Sequence, residues 1–297
     1  MSNRDALQRY HENRAKMLAG GGEKRIEAQH GKGKLTARER LDLLLDKGSF
    51  VEQQPYITVR ATDFGLADKK FLGDGVISGT GKVGGQQIFL FSQDFTVLGG
   101  SLGEMHAQRI AEAQDLALKN GCPFVQINDS GGARIQEGTL SLDGYAKIFR
   151  ANTLASGVIP QFSVILGPCA GGAVYSPAIT DFILMVDGLS NMYITGPDVI
   201  RAVTGEEISH EQLGGAATHA SISGNAHFRF ADEGSCLQFL RKLLSYLPAN
   251  NLEMPPVADS KDGPDRETPE LEELLPEDPK RPYDVREFIA AVCDRGS

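Results

Sequence analysis

Phe124-Val125-Gln126-Ile127-Asn128-Asp129-Ser130-Gly131-Gly132-Ala133-Arg134 reads as a buried strand that runs into a turn almost bare of side chains. The plan recurs forty residues on, where Phe162-Ser163-Val164-Ile165-Leu166 leads into Ala170-Gly171-Gly172-Ala173. A strand that delivers such a turn to a helix N-terminus leaves backbone N–H groups without acceptors, with the positive end of the helix dipole behind them. Glycine lets another atom approach that backbone closely. Together these features suit an oxygen that gains negative charge during a reaction, such as the enolate oxygen of a thioester. Glycine pairs also serve tight strand–helix packing, and two copies in one structural context weigh toward the chemical reading.

Outward from the repeat, strands alternate with helices, which predicts an α/β core. Val76-Ile77-Ser78-Gly79 and Gln87-Ile88-Phe89-Leu90-Phe91 read as a hairpin through Gly84-Gly85. Helices are expected from about Gly103 to Lys119 and from Leu142 to Ala155, and a further strand over Phe182 to Val186. Residues 1–48 form a helical N-terminal segment: one helix over 4–18, stopped by Gly20-Gly21-Gly22, and another opening at Thr36 with Glu39 as its capping box. The core then covers 49–247, an acidic Pro-rich linker 248–282, and a terminal helix 283–297.

The net charge is −9, unevenly spread. Residues 1–50 hold eleven Lys and Arg against seven Asp and Glu, whereas residues 251–297 hold six against thirteen. The basic segment could serve an anionic ligand, and the acidic tail argues against nucleic acid as a partner. The longest apolar runs are far short of the roughly 20 residues that span a bilayer. Four dispersed cysteines, Cys122, Cys169, Cys236 and Cys293, fit neither a zinc ribbon nor a disulfide scaffold. Cys169, beside a glycine pair, reads as a small buried hydrophobe that lacks a neighbouring base. Arg134 and Glu137 read as a helix-surface pair of little weight. No Gly-x-Gly-x-x-Gly after a first strand, P-loop or Gly-x-Ser-x-Gly elbow is present. His106, His210, His219 and His227 show no metal-ligand spacing, and no metal is expected. This shortage of acid–base groups points to chemistry done by backbone amides and a cofactor's own basicity.

The stretch Ile127 to Gly138, together with Gly167-Pro168-Cys169-Ala170-Gly171-Gly172-Ala173-Val174-Tyr175-Ser176-Pro177-Ala178, closely resembles the carboxyltransferase β-subunits of the propionyl-CoA carboxylase and biotin-dependent acyl-CoA carboxylase family. Gly31 to Arg40, Ser92 to Ser101, Ile194-Thr195-Gly196-Pro197 and Leu213-Gly214-Gly215-Ala216 are similar to the same family. The resemblance implies a crotonase-like (ClpP/crotonase) fold of repeated β-β-α units, and a protein that binds acyl-CoA. It implies that backbone amides at Gly171 and Gly172, with Ala133 contributing, hold the thioester carbonyl. Ser130, Gly131, Gly132, Ser92, Phe95, Gly99, Gly100, Lys34 and Arg38 would contact the CoA thioester.

The cofactor implied is biotin, carried on a partner protein, whose ureido anion takes the α-proton so that no side chain need act as base. The implied partners are a biotin carboxyl carrier, a biotin carboxylase subunit and a C-terminal carboxyltransferase half, in an oligomer. By the same resemblance a biotin-binding domain should follow, and the chain ends where that domain would begin; the expectation is a half-site, inactive alone. Propionyl-CoA is the preferred substrate, and acetyl-CoA or a longer acyl-CoA stays open, since one methylene is worth only about 1–3 kcal/mol. A decarboxylase subunit and a non-catalytic CoA-binding scaffold are the alternatives. The location implied is the cytoplasm, or the mitochondrial matrix in a eukaryote.

Overall fold

A computed structural model describes residues 2–257, 263 and 265–294. Three helices open the chain: α1 (Asn3–Leu18), α2 (Glu23–His30) and α3 (Ala37–Leu44). α1 stops at the expected glycines, where Gly20 and Gly22 take positive φ. α3 begins as the Thr36–Glu39 pattern requires. The Thr36 hydroxyl accepts from the Glu39 N–H, and the Glu39 carboxylate accepts from the Thr36 N–H at 2.8 Å. α2 gave no periodic signal, because Ile26 and Ala28 are its only apolar residues.

β1 (Val51–Glu52), β2 (Val76–Val83) and β3 (Gln86–Gln93) run antiparallel, with β2 and β3 joined through Gly84 and Gly85, both at positive φ. From β3 onward the sheet is parallel. α4 (Glu104–Asn120) crosses to β4 (Phe124–Ser130), α5 (Thr139–Ala155) to β5 (Gln161–Ala170), and α6 (Gly172–Ala178) to β6 (Phe182–Val186). β7 (Asn191–Tyr193) pairs with the end of β5. Then come α7 (Pro197–Thr204), α8 (His210–Gly214), α9 (Ala216–Thr218), a π-helical turn at His219–Ser223, β8 (Phe228–Phe230) and α10 (Glu233–Leu244). The sheet order is β1-β2-β3-β4-β5-β6-β8.

Both faces of the sheet are covered, so the central strands read as near-continuous apolar runs. Phe89, Phe91, Phe124, Ile183 and Met185 point to one face, where Ile110, Ala113 and Ala117 of α4 and Tyr145 and Ile148 of α5 meet them. Ile88, Leu90, Val125, Ile127, Leu184 and Val186 point to the other, against Leu41 and Leu44 of α3 and Leu237, Leu240 and Leu244 of α10. Each fully buried aliphatic or aromatic side chain contributes about 1.5–3 kcal/mol.

α3 of the N-terminal segment is therefore one wall of the core. Residues 248–254, expected in the linker, also belong to the first unit: the Asn250 side chain donates to the Gly121 carbonyl at 2.9 Å, and the Asn251 amide to the Val158 carbonyl at 2.9 Å. The second unit, from Pro255 on, contains α11 (Glu270–Leu274) and α12 (Val285–Val292). Within it Arg266 caps α12, donating to the carbonyls of Ala291 and Cys293 at 3.1 and 3.0 Å. The expected terminal helix thus begins at Val285, and residues 295–297 of that segment lie outside the described residues.

Candidate active site

β4 and β5 bring the two glycine turns side by side. Their register is regular to Asn128 opposite Ile165, then jumps, so that Ser130 faces Cys169. The extra residues of β5 bulge opposite Asp129. Gly167 stands in the bulge because a side chain there would occupy the space of the Asp129 carboxylate. Past the bulge, Gly132 (φ 104°) lies against the Ala170 carbonyl, which a methyl group at 132 would approach to 2.9 Å.

The turns differ at their ends. Gly171 (φ 58°, ψ −128°) is the N-cap of α6, as expected for the second turn. After the first turn a 3-10 turn, Ile135–Glu137, intervenes, and α5 starts only at Thr139 behind Gly138. The expectation that the first turn feeds a helix directly is corrected: the buried Arg134 and Glu137 occupy that interval.

The amides sort themselves by their partners. Gly131 N–H donates to the Gly99 carbonyl at 3.1 Å, and Gly132 N–H to the Ser130 hydroxyl at 3.1 Å. Gly171 N–H donates to the Tyr193 carbonyl at 3.2 Å, because the β5–β7 ladder, which pairs Ala170 with Tyr193, carries on for one more residue. Among the described residues, no acceptor is bonded to the amides of Ala133 and Gly172. Both residues are partly exposed. The pair with free donors is therefore Ala133 and Gly172, and Gly171 holds the turn in shape.

Two buried ionic clusters support the first turn. Asp129, fully buried, binds Lys34 Nζ at 2.7 Å, Arg40 Nη1 at 2.9 Å and the Gln29 side chain at 3.1 Å. Arg40, also fully buried, reaches on to Glu233 of α10 at 2.9 Å and to the Leu166 carbonyl at 2.8 Å. Burial lowers the pKa of Lys34, and its pairing with Asp129 opposes that shift. On the other side Arg134 joins Asp74 at 2.6 Å and Glu137 at 2.8 Å. All three are buried, so the expected surface pair of Arg134 and Glu137 is corrected. Burial lifts Asp74 to about 6, with Arg134 holding it from rising further.

The residues expected around the ligand divide accordingly. Ser92 is fully buried, and its hydroxyl has no partner. Ser130 is buried and engaged by Gly132. Lys34 faces inward, and Arg38 is paired with Glu52 at 2.9 Å. Gly100 backs onto the Asp129 carbonyl. Phe95 and Gly99, by contrast, line a cavity of about 320 Å³ with Arg25, Lys32, Thr96 and Leu98. Lys32 lies over the Phe95 ring at 5.9 Å and Lys34 over it at 4.7 Å. This cavity adjoins the first turn through the Gly99–Gly131 bond. Arg25 was not foreseen, because only folding brings α2 beside Thr96, whose carbonyl Arg25 Nη1 binds at 3.0 Å. Cys169 is buried, its thiol donating to the Ala173 carbonyl at 3.1 Å, and burial pushes its pKa up. Among the described residues no cluster of His, Cys, Asp and Glu is placed to hold a metal ion.

Residues 28–297 match the carboxyl transferase domain family. The chain belongs to that family. It is 53% identical over 293 residues to the propionyl-CoA carboxylase beta chain of Roseobacter denitrificans, covering 99% of this chain and 58% of that one. It is 55% identical over 292 residues to the methylmalonyl-CoA decarboxylase subunit alpha of Veillonella parvula, covering 98% and 57%. The structure of transcarboxylase 12S with methylmalonyl-coenzyme A bound superposes with a TM-score of 0.95 at 46% identity, over 100% of this chain and 58% of that one. The fold is crotonase-like, as the resemblance implied. The chain spans less than three fifths of the length of these relatives.

Proposed function

We propose that this chain is the acyl-CoA-binding half of a biotin-dependent acyl-CoA carboxyltransferase. The observation that carries the reading is the pair of unbonded amides, Ala133 and Gly172, on adjacent turns. Two N–H donors on adjacent turns with no internal acceptor suit the thioester oxygen as it becomes an enolate, and removing one such donor costs on the order of 3–4 kcal/mol in the transition state. The pantetheine arm runs along Phe95 and Gly99, and the phosphates meet Arg25 and Lys32 at the cavity mouth. This moves the phosphate contacts away from Lys34 and Arg38, whose charges are paired with Asp129 and Glu52.

Biotin, carried on a partner protein, supplies the carboxyl group and the basicity that the side chains here lack. The free amides serve one oxygen, that of the thioester, and the C-terminal half of such an enzyme would hold the biotin ring. That half docks on the apolar rim of the turns, where Ile135, Tyr175 and Ile194 are exposed. Propionyl-CoA is the substrate best supported by the relatives. No helix among the described residues is long and apolar enough to cross a membrane, and we place the protein in the cytoplasm or, in a eukaryote, the matrix.

A second reading keeps the site and reverses the direction, from a carboxylated acyl-CoA to biotin. It is favoured by the 55% identity to a decarboxylase subunit. Calorimetric titration of acetyl-, propionyl- and butyryl-CoA into the chain tests the shared site. Labelled carboxyl transfer, assayed with and without a C-terminal half, tests the reaction in both directions. Saturable binding and transfer only with the second half are expected. A chain that binds none of the three thioesters sinks both readings.

A further inference from the structure

α6 carries the Gly172 amide at its first residue, yet it is seven residues long and has Pro177 inside it. Such a helix has no stability of its own, so its direction is imposed from outside. Ser176 supplies the means. It lies one turn beyond Gly172, where the helical pattern links its N–H to the Gly172 carbonyl. Its hydroxyl lies 2.9 Å from Gln126 Oε1 on β4 and 2.8 Å from Asn152 Oδ1 on α5. Asn152 continues the chain, donating to Gln161 Oε1 at 2.9 Å, and the Gln161 side chain returns to the Asn152 carbonyl at 3.1 Å. All four side chains are buried, Gln126 and Asn152 completely.

One hydroxyl proton cannot serve two carbonyl oxygens. The chain closes when Gln126 turns its NH2 toward Ser176, which gives Nε2 a partner in place of Oε1. Protons then run in one direction, from Gln126 to Ser176 to Asn152. Buried polar chains of this kind hold geometry tightly because each unmet group is costly. We propose that the Gln126–Ser176–Asn152–Gln161 chain positions α6, and that Ser176 is thereby a positioning residue that fixes the aim of the Gly172 amide. None of the four lines the cavity beside Phe95. The inference rests on the oxyanion role given above to Gly172.

The test compares two CoA thioethers on the full chain. One ends in a nitroalkyl group whose nitronate carries charge where the enolate oxygen would lie; the other is the neutral propyl thioether. The wild type is expected to prefer the nitronate, and Ser176→Ala to lose at least about tenfold of that preference while binding the propyl thioether as before. Gln126→Met, close to isosteric, cuts the chain from the β4 side and is expected to do the same, and it decides the matter if Ser176→Ala does not fold. Ser176→Thr keeps the hydroxyl and is expected to restore the preference. Thr80→Val removes a hydrogen-bonded hydroxyl on β2, which donates to the Ile88 carbonyl at 2.8 Å, and should leave the preference unchanged. A wild type without preference overturns the oxyanion reading itself. A wild-type preference that survives intact in the folded cut variants overturns the positioning role alone.

Discussion

The amide of Gly171 donates to the carbonyl of Tyr193, 3.2 Å away, whereas its neighbour Gly172 has no such bond. Two glycines that look alike in sequence thus take different tasks. Gly171 sits at φ 58° and ψ −128°, a region open essentially to glycine alone. Gly171→Ala is expected to cost about 1–3 kcal/mol of stability through strain, measured as a lower urea midpoint. Gly172→Ala instead brings a methyl group within 2.8 Å of the Tyr145 ring and shifts the free amide. In the reconstituted enzyme its transfer rate should fall on the order of 100- to 1,000-fold, with the affinity for CoA itself preserved.

Lys34 and Lys32, two residues apart, should also separate cleanly. Lys34→Met leaves Asp129 with less compensation in a sealed interior, and breaking a buried pair typically costs about 3–5 kcal/mol. Its thermal midpoint should drop by many degrees. Lys32 is exposed at the cavity that Phe95 lines. Lys32→Ala should leave the midpoint alone and weaken binding of CoA thioesters several-fold, while binding of the matching pantetheine thioester, which has no nucleotide phosphates, stays unchanged.

Asp74 gives the protein a pH dependence of definite sign. Its pKa is raised in the fold, first by burial, to about 6 against 3.8 for the free group. Between those values the folded state holds the proton more tightly than the unfolded state, so this group's contribution to stability falls as pH rises from about 4 to about 6. The full span is at most about 3 kcal/mol. Asp74→Asn, which cannot titrate, should flatten that part of the profile when urea midpoints are compared across the range. A mutant slope equal to that of the wild type would place the titration elsewhere.

The sequence carried the sheet because burial on both faces leaves a local trace: Phe124 to Ile127 and Phe162 to Leu166 are apolar at every position but one, Gln126 and Ser163. The Thr36–Glu39 cap and the Gly84-Gly85 hairpin are likewise written within a few residues of where they act. The site was legible only as far as its turns. That Gly171 is engaged depends on β7, some twenty residues later, and that Lys34 is engaged depends on Asp129, ninety-five residues away. Ionic partners at such separations leave no periodicity, so a basic cluster around Lys34 read as a surface for anions. Arg134 and Glu137 misled for the same reason: their spacing suits a helix face, and Asp74, sixty residues earlier, draws them inside.

Arg40 has one more implication. Its guanidinium holds Asp129 from β4 and Glu233 from α10 at once, with no exposure to solvent. Helix α3 is therefore the keystone between two distant stretches of chain, and removing it would leave Asp129 and Glu233 without the guanidinium that joins them. Anyone shortening this domain for expression or fusion has to cut ahead of Gln29, or carry a substitute for the charge that α3 brings.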